Sequence, residues 1–456
     1  MAFVASRLFC MRLVYNGLFA VFFCLAAPFY FWKMKRRGGW KQGFAQRFGI
    51  FDGKTKSAIT NRHTIWIHAV SVGEVNLATH LISALELRAP NLKVVVSTTT
   101  STGMGELKKK LPSHVLKIYY PIDWPKFVSR SLRIVNPEAI VLVEAEIWPN
   151  LLWKASERRI PVFLVNARMS ERSMRGYKRF SFLFRSIFRS LAGVGVQNPE
   201  DAERLRALGC RDEAVQVLGN MKFDAAQLSE RPITQVSVLL RQLGVAEGRP
   251  IIVAGSTHDG EEAILAEQYQ RLKKRFPDLF LIIVPRHAER AKSAGRDIDK
   301  VGLKQIFRTS VASDTRFEPG ELECLVVNTT GELRYFYELA SIVFIGKSLT
   351  AEGGQNPLEP AALGKPIVFG PNMQNFQAIT AALLAGQAAW QAADAPTLEV
   401  ALETLLSNKD RREAMGKAAL EVVKRNQGSV ERTVEMILKS LDGSENVLRR
   451  VNSPPA

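Results

Sequence analysis

The chain opens on an unbroken apolar run. From Leu13 to Trp32 (LVYNGLFAVFFCLAAPFYFW) no residue is charged. At helical rise that length covers roughly 30 Å, the thickness of a hydrocarbon core. The run therefore predicts a membrane-anchor helix. Tyr30 and Trp32 suit the interface. Lys33, Lys35, Arg36, Arg37 and Lys41 follow at once, against Arg7 and Arg12 before. The positive-inside bias puts the bulk of the chain in the cytoplasm. A cleaved signal peptide ending at Leu25-Ala26-Ala27 is the alternative, but its strongest charge should precede the apolar stretch. Pro28 and Asn16 leave a membrane-dipping hairpin or interfacial helix open.

Beyond the leader the period changes. Short β-branched runs predict strands at Thr64–His68, Val94–Val96, Ala139–Val143, Pro161–Val165 and Val194–Gln197. Amphipathic stretches such as Asn76–Leu87 and Glu200–Leu208 fall between them. A polar stretch at 225–249 separates a second series at Ile251–Ala254, Phe280–Val284, Leu325–Val327, Ile342–Ile345 and Pro366–Phe369. Strand and helix alternating in this way predict parallel sheets covered on both faces. The reading is α/β: an anchor with its basic flank (1–40), two doubly wound Rossmann-like domains (41–228 and 229–443) and a frayed tail (444–456). Ligands of two such domains belong in a cleft at the C-terminal ends of the strands.

Composition narrows the classes. With 456 residues, 46% hydrophobic and 23% charged, the chain has real cores and is not disordered, collagen-like or polytopic. Sixty-two basic against 44 acidic residues leave +18. So basic a chain should meet nucleic acid, a phospholipid surface or a phosphorylated substrate. Four unclustered cysteines indicate a reducing compartment and no zinc knuckle. Arg168, Arg172, Arg175, Lys178, Arg179, Arg185 and Arg189 crowd one segment, interleaved with Phe180, Phe182, Phe184 and Phe188. That pattern predicts a surface for anionic, lipid-bearing partners. A membrane-tethered RNA-binding protein is the competing reading.

The candidate chemistry lies at strand ends. Ser71-x-x-Glu74 with Gly73 is a capping box. It is equally a general base at a helix N-terminus that favours its ionised form. Glu144 and Glu146, two apart, share a face if extended; rim salt bridges are the alternative. Lys222, in Gly219-Asn-Met-Lys-Phe-Asp224, could pair with an anionic donor or simply be exposed. In the second domain Gly255-Ser256-Thr257-His258 offers backbone N–H groups to a phosphate. Arg286, just past a strand, can clamp one bidentately. Thr330-Gly331-Glu332 repeats the strand–turn–helix theme. In Gly353-Gly354-Gln355-Asn356-Pro357-Leu358-Glu359, Pro357 suits a first helical turn and Glu359 can accept from ribose hydroxyls. No GxxxxGK[ST] or strand-following GxGxxG occurs, so P-loop and dinucleotide readings are weak. Asp297-Ile-Asp299 reads as a solvated helix face, and neither metal nor cofactor is expected.

These strand-end motifs, in order, resemble those of the 3-deoxy-D-manno-octulosonic acid (Kdo) transferases, inverting GT-B glycosyltransferases of lipopolysaccharide synthesis. The matching stretches are His68–Glu74, Glu144–Asn150, Asn166–Ser170, Gly219–Asp224, Val284–His287, Gly331–Leu333 and Asn356–Pro360. The resemblance implies a CMP-Kdo donor and a lipid A precursor (lipid IVA) as acceptor, at the cytoplasmic face of the inner membrane, with no nucleic acid. It implies Glu74 as the base, Glu144 rather than Glu146 as the second functional carboxylate, and Lys222 as the group that stabilises charge. It assigns CMP contacts to Pro285, Arg286, Thr330, Gly331, Glu332, Asn356, Pro357, Leu358 and Glu359. Ser71, Gly73, Arg168 and Ser170 fall to the acceptor. Gln355 stands where the family often has His, and Thr330 where it often has Met. A GT-B enzyme using a UDP-sugar on another lipid is the rival enzyme reading.

Overall fold

The computed structural model describes residues 2–37, 41–59, 63–226 and 234–442. Two compact units result: Met1–Ala225 together with Gln427–Ala456, and Ala226–Asn426. Each is built on a seven-stranded, all-parallel sheet of the doubly wound GT-B kind. The first holds β1 (Thr64–His68), β2 (Lys93–Thr98), β3 (Leu116–Tyr119), β4 (Ala139–Val143), β5 (Val162–Ala167), β6 (Gly193–Val196) and β7 (Val215–Val217). The second holds β8 (Ile251–Thr257), β9 (Phe280–Pro285), β10 (Gln305–Phe307), β11 (Cys324–Val326), β12 (Ile342–Ile345), β13 (Ile367–Phe369) and β14 (Ala389–Gln391).

The first sheet runs β3-β2-β1-β4-β5-β6-β7 and the second β10-β11-β9-β8-β12-β13-β14. The first order reverses direction at β1/β4; the second reverses centrally at β8/β12, with β11 set between β10 and β9 near one edge. The gap between helices at such a reversal is where open α/β sheets bind ligands. The long central strands are buried along their whole length, as sandwiching between helix layers requires. β3, β7, β10 and β14 were not among the expected strands; each has four residues or fewer and lies at an edge, too short to show a period.

The N-terminal helix is one continuous element, Ala2–Arg37, with Pro28 inside it. Its stretch Met11–Arg36 is long and apolar enough to cross a membrane. No hairpin interrupts it. Its turns at Met11–Asn16 are tied to the rest of the first unit. Met11 and Tyr15 pack on the core around Trp153. The Tyr15 hydroxyl donates to Asp123 at 2.8 Å, and Asn150 Nδ2 donates to Asn16 at 2.8 Å. Asn16, which weakened the anchor reading, has a partner.

The C-terminal boundary differs from the expected 229–443 domain. The helix Ser429–Asp442 returns to the first unit and packs on the helix Val72–Arg88 and on β6. Its Val430, Val434, Ile437 and Leu441 complete the core over β1 and β4. Asp224 accepts hydrogen bonds from the Gly428 and Val430 N–H groups, so one carboxylate caps the returning helix. Within the polar stretch at 225–249, Thr234–Gln242 is a helix with Leu239 and Leu240 buried. The 228/229 boundary and the 444–456 tail lie outside the described residues.

The basic–aromatic segment forms two short helices, Glu171–Arg179 and Ser181–Arg189. Phe188 is core and Phe184 packs against it, while Phe180 and Phe182 are exposed. Two of the four phenylalanines therefore fill the interior rather than interleaving with the surface charge.

Candidate active site

In the first unit the sheet reversal assembles the carboxylates. Ser71 caps the helix Val72–Arg88: its Oγ accepts the Glu74 N–H at 3.2 Å. The Glu74 carboxylate turns back, accepting from Ser71 Oγ–H at 2.7 Å and from the Val70 N–H at 2.8 Å. Ser71 thus caps the helix as the capping reading expects, and Glu74 reaches back to the N–H one residue before the cap. Glu74 is only 8% exposed. Burial pushes its pKa up, the hydrogen bonds from Val70 and Ser71 oppose this, and the charge of Glu144 adds to it. The expected preference for the ionised form is therefore outweighed by desolvation. A Cβ on Gly73 would meet nothing closer than Ser71 Oγ at 3.8 Å, so the fold itself does not demand glycine there.

Glu144 and Glu146 follow β4. Glu144 has φ 63°, which breaks the strand and turns its side chain, and its carboxylate pairs with Lys222 Nζ at 3.2 Å. Glu146 accepts from Trp148 Nε1 at 2.9 Å. Burial first, then the Glu74 and Glu144 charges, push its pKa up to about 7 against that hydrogen bond. His68, fully buried on β1, is pushed down to about 3 by desolvation. It is neutral at neutral pH, and its 4.0 Å separation from Glu146 is no ion pair. Its Nδ1 lies 2.9 Å from Ser97 Oγ, while Nε2 has no hydrogen-bond partner among the described residues.

Lys222 is aimed by residues to which the sequence assigned no role. Asn166, at φ 51° where β5 shifts register, accepts the Met221 N–H through Oδ1 at 3.0 Å. Gln197 receives Asn220 Nδ2 at 3.0 Å and donates to the Asn166 carbonyl at 3.0 Å. Asn220 Oδ1 accepts the Lys222 N–H. The one available signal was a polar side chain directly at the end of a buried strand. Arg168 and Ser170 leave the same strand, both exposed; Ser170 caps the helix Glu171–Arg179.

In the second unit the expected nucleotide residues leave three strands. Pro285 ends β9, and the Arg286 N–H donates to the Thr257 carbonyl at 3.0 Å. Its guanidinium is exposed, close enough to help lower the pKa of Glu359, although burial of that carboxylate has the larger, raising effect. Glu359 lies in the first turn of the helix Leu358–Ala362, with Asn356 Nδ2 at 3.5 Å from its Oε1. Asn356 Oδ1 caps the Leu358 N–H at 3.1 Å, over Pro357. Gly354, at φ 68°, lies where a Cβ would strike Met373 Sδ at 2.4 Å. After β11, Gly331 has φ 88° and Thr330 is exposed. Glu332 accepts from Thr329 Oγ1 and pairs with Arg308 at 3.3 Å. Asp297 and Asp299 lie on a helix, bound to Lys300 and to Gln305. No cluster able to hold a metal occurs among the described residues.

Residues 42–225 match the family model described as 3-deoxy-D-manno-octulosonic-acid transferase (kdotransferase). The 3-deoxy-D-manno-octulosonic acid transferase of Haemophilus influenzae is 32% identical over 407 residues, covering 88% of this chain and 92% of that protein. This chain belongs to the Kdo transferase family. The family member from Bordetella pertussis is likewise 32% identical, over 89% and 94% of the two chains. The fold is shared more widely. UDP-GlcNAc 2-epimerase from Neisseria meningitidis superposes with TM-score 0.58 at 15% identity, over 82% of this chain and all of that one. Membership makes the protein a glycosyltransferase that transfers Kdo in lipopolysaccharide biosynthesis.

Proposed function

We propose that the protein transfers Kdo from CMP-Kdo to a lipid A precursor, lipid IVA, with inversion at the anomeric carbon and Glu74 as base. The observation that carries this is the Glu74 carboxylate, nearly buried beside Glu144 and its lysine partner at the β1/β4 reversal. Glu74 takes the proton of the acceptor hydroxyl. The oxygen forms a bond to the anomeric carbon from the face opposite the nucleotide. The carbon–oxygen bond to the CMP phosphate breaks, and its electron pair leaves with CMP. Lys222, oriented by Glu144, offsets the negative charge that develops. Arg286 clamps the donor phosphate. Glu359 and Asn356 hold the ribose hydroxyls, and the Pro285, Thr330–Glu332 and Pro357–Leu358 segments line the nucleotide. Ser71, Gly73, Arg168 and Ser170 meet the acceptor. The N-terminal helix anchors the enzyme in the inner membrane with both units in the cytoplasm, and the exposed Arg172, Arg175, Phe180 and Phe182 lie on anionic lipid.

Purified enzyme, a tetra-acylated lipid A precursor and CMP-Kdo, with products weighed by mass spectrometry, test this directly. Glu74→Ala should lose about a hundredfold or more in turnover, the usual worth of a general base, with its thermal transition retained. UDP-sugars should give no product. A Glu74→Ala enzyme that keeps its specific activity would remove the proposed base.

A further inference from the structure

The N-terminal helix does more in the structure than reach toward a membrane. Its apolar face and the rest of the first unit border a half-open cavity of about 450 Å³. Phe23, Ala27, Phe31 and Met34 form one wall, and Phe44 and Phe48 of the short helix Phe44–Phe48 form another. A second hollow of about 220 Å³ continues along the same helix and shares Phe23 and Ile122 with the first. If a methylene is about the size of a water molecule, whose share of liquid volume is roughly 30 Å³, the larger cavity takes on the order of fifteen groups. That is one long alkyl chain.

The rim of the cavity is not apolar. Arg47 and Lys33 stand on it, and the third wall is Thr99, Thr100 and Ser101. Arg47 lies over the Tyr119 ring at 4.3 Å and has no carboxylate partner among the described residues. The threonine wall is joined to the candidate base. Thr98 and Thr100 hydroxyls both donate to the Val70 carbonyl at 3.3 Å, and the Val70 N–H donates to Glu74 at 2.8 Å. An apolar slot beside a helix long and apolar enough to cross a membrane, a cationic rim, and a wall one residue removed from the base together suit an anionic amphiphile whose head is to be modified.

We propose that this cavity holds one acyl chain of the phosphorylated glycolipid acceptor, seating its sugar hydroxyl at Glu74 while the chain stays shielded from water. The inference rests on the acceptor reading above and adds the site that recognises the chain. A bulk phospholipid tail is the alternative occupant. It would need neither the basic rim nor the link to Val70.

Photolabelling of the full-length protein in phosphatidylethanolamine vesicles separates the two. One probe is a tetra-acylated glucosamine disaccharide phosphate with a diazirine at a chain end; the other is phosphatidylglycerol carrying the same chain. We expect the glycolipid to label the segments Phe23–Met34 and Phe44–Phe48 at least tenfold more than the phospholipid does. Ala27→Trp, which fills the cavity, should abolish that excess, whereas Leu25→Trp on the exposed face of the helix should not. Met34→Trp blocks the same volume should Ala27→Trp fail to accumulate. Equal labelling by both probes, or an excess that survives the blocking substitution, overturns the proposal. Turnover of the same glycolipid with CMP-Kdo is read in parallel: labelling without transfer sinks the functional reading and leaves the cavity assigned, and transfer without selective labelling does the reverse.

Discussion

Three carboxylates and one lysine meet at the end of β1 and β4, and protonation decides what each can do. Glu74 must be ionised to accept a proton, yet burial raises its pKa. The acid limb of kcat/KM should therefore lie above the ordinary glutamate value, with activity lost as pH falls through it; a limb at or below the ordinary value contradicts Glu74 as the base. Glu146 is the sharper case. Its pKa rises from 4.5 to about 7, so between those values the folded protein holds a proton that the unfolded chain releases. Stability then falls as pH rises through that window. At 1.36 kcal/mol per unit the shift amounts to no more than about 3 kcal/mol. Glu146→Gln keeps the acceptor for Trp148 Nε1 and removes the charge. It should gain stability over wild type at pH 8 and gain little at pH 4, as read from denaturant midpoints. An advantage independent of pH would mean Glu146 is not titrating in the fold.

At the scale of elements, Asp123 is where the N-terminal helix is fastened. Its buried carboxylate accepts from Tyr15 on that helix and from the Asn150 and Leu151 N–H groups at the start of the helix Pro149–Glu157. Asp123→Ala strands those donors and should cost on the order of 3 kcal/mol, measured by unfolding in detergent micelles; an unchanged midpoint would show the fastening to be idle. Long central strands such as Ala139–Val143 were legible because both faces are apolar, and the strand-end residues could be found because every parallel strand must deliver its loop to the same edge. The tie between Asn16 and Asn150 was not legible, since the two are far apart in the chain and polar residues carry no period. Nor were Asn166 and Gln197. Each acts through backbone groups of a loop whose path only the folded sheet defines. The phenylalanines of 180–188 misled for the opposite reason: two helices broken at Phe180 put Phe188 inward where continuous interleaving had put it on the surface.

For the whole molecule, the order of the chain and the order of the units differ, and that has a measurable consequence. The second unit is one continuous segment, Ala226–Asn426, whereas the first needs the chain to come back after it. The returning helix buries Val430, Val434, Ile437 and Leu441 among residues such as Leu77 and Leu81. Full burial of such side chains contributes roughly 1.5–3 kcal/mol each. Stopping the chain after Asn426 removes all four, and also the two N–H donors that satisfy Asp224. The loss is of the size of a whole domain's net stability. It falls on the unit that carries Glu74, not on the one that carries Arg286 and Glu359. Calorimetry of the truncated protein in micelles should accordingly show the transition of the first unit strongly lowered or absent and that of Ala226–Asn426 kept. CMP should still stabilise the surviving transition, because a ligand that binds only the folded form shifts its midpoint. Kdo transfer should be lost even though no candidate active-site residue has been touched. A truncated protein that keeps both transitions would show that the C-terminal helix merely rests on the first unit.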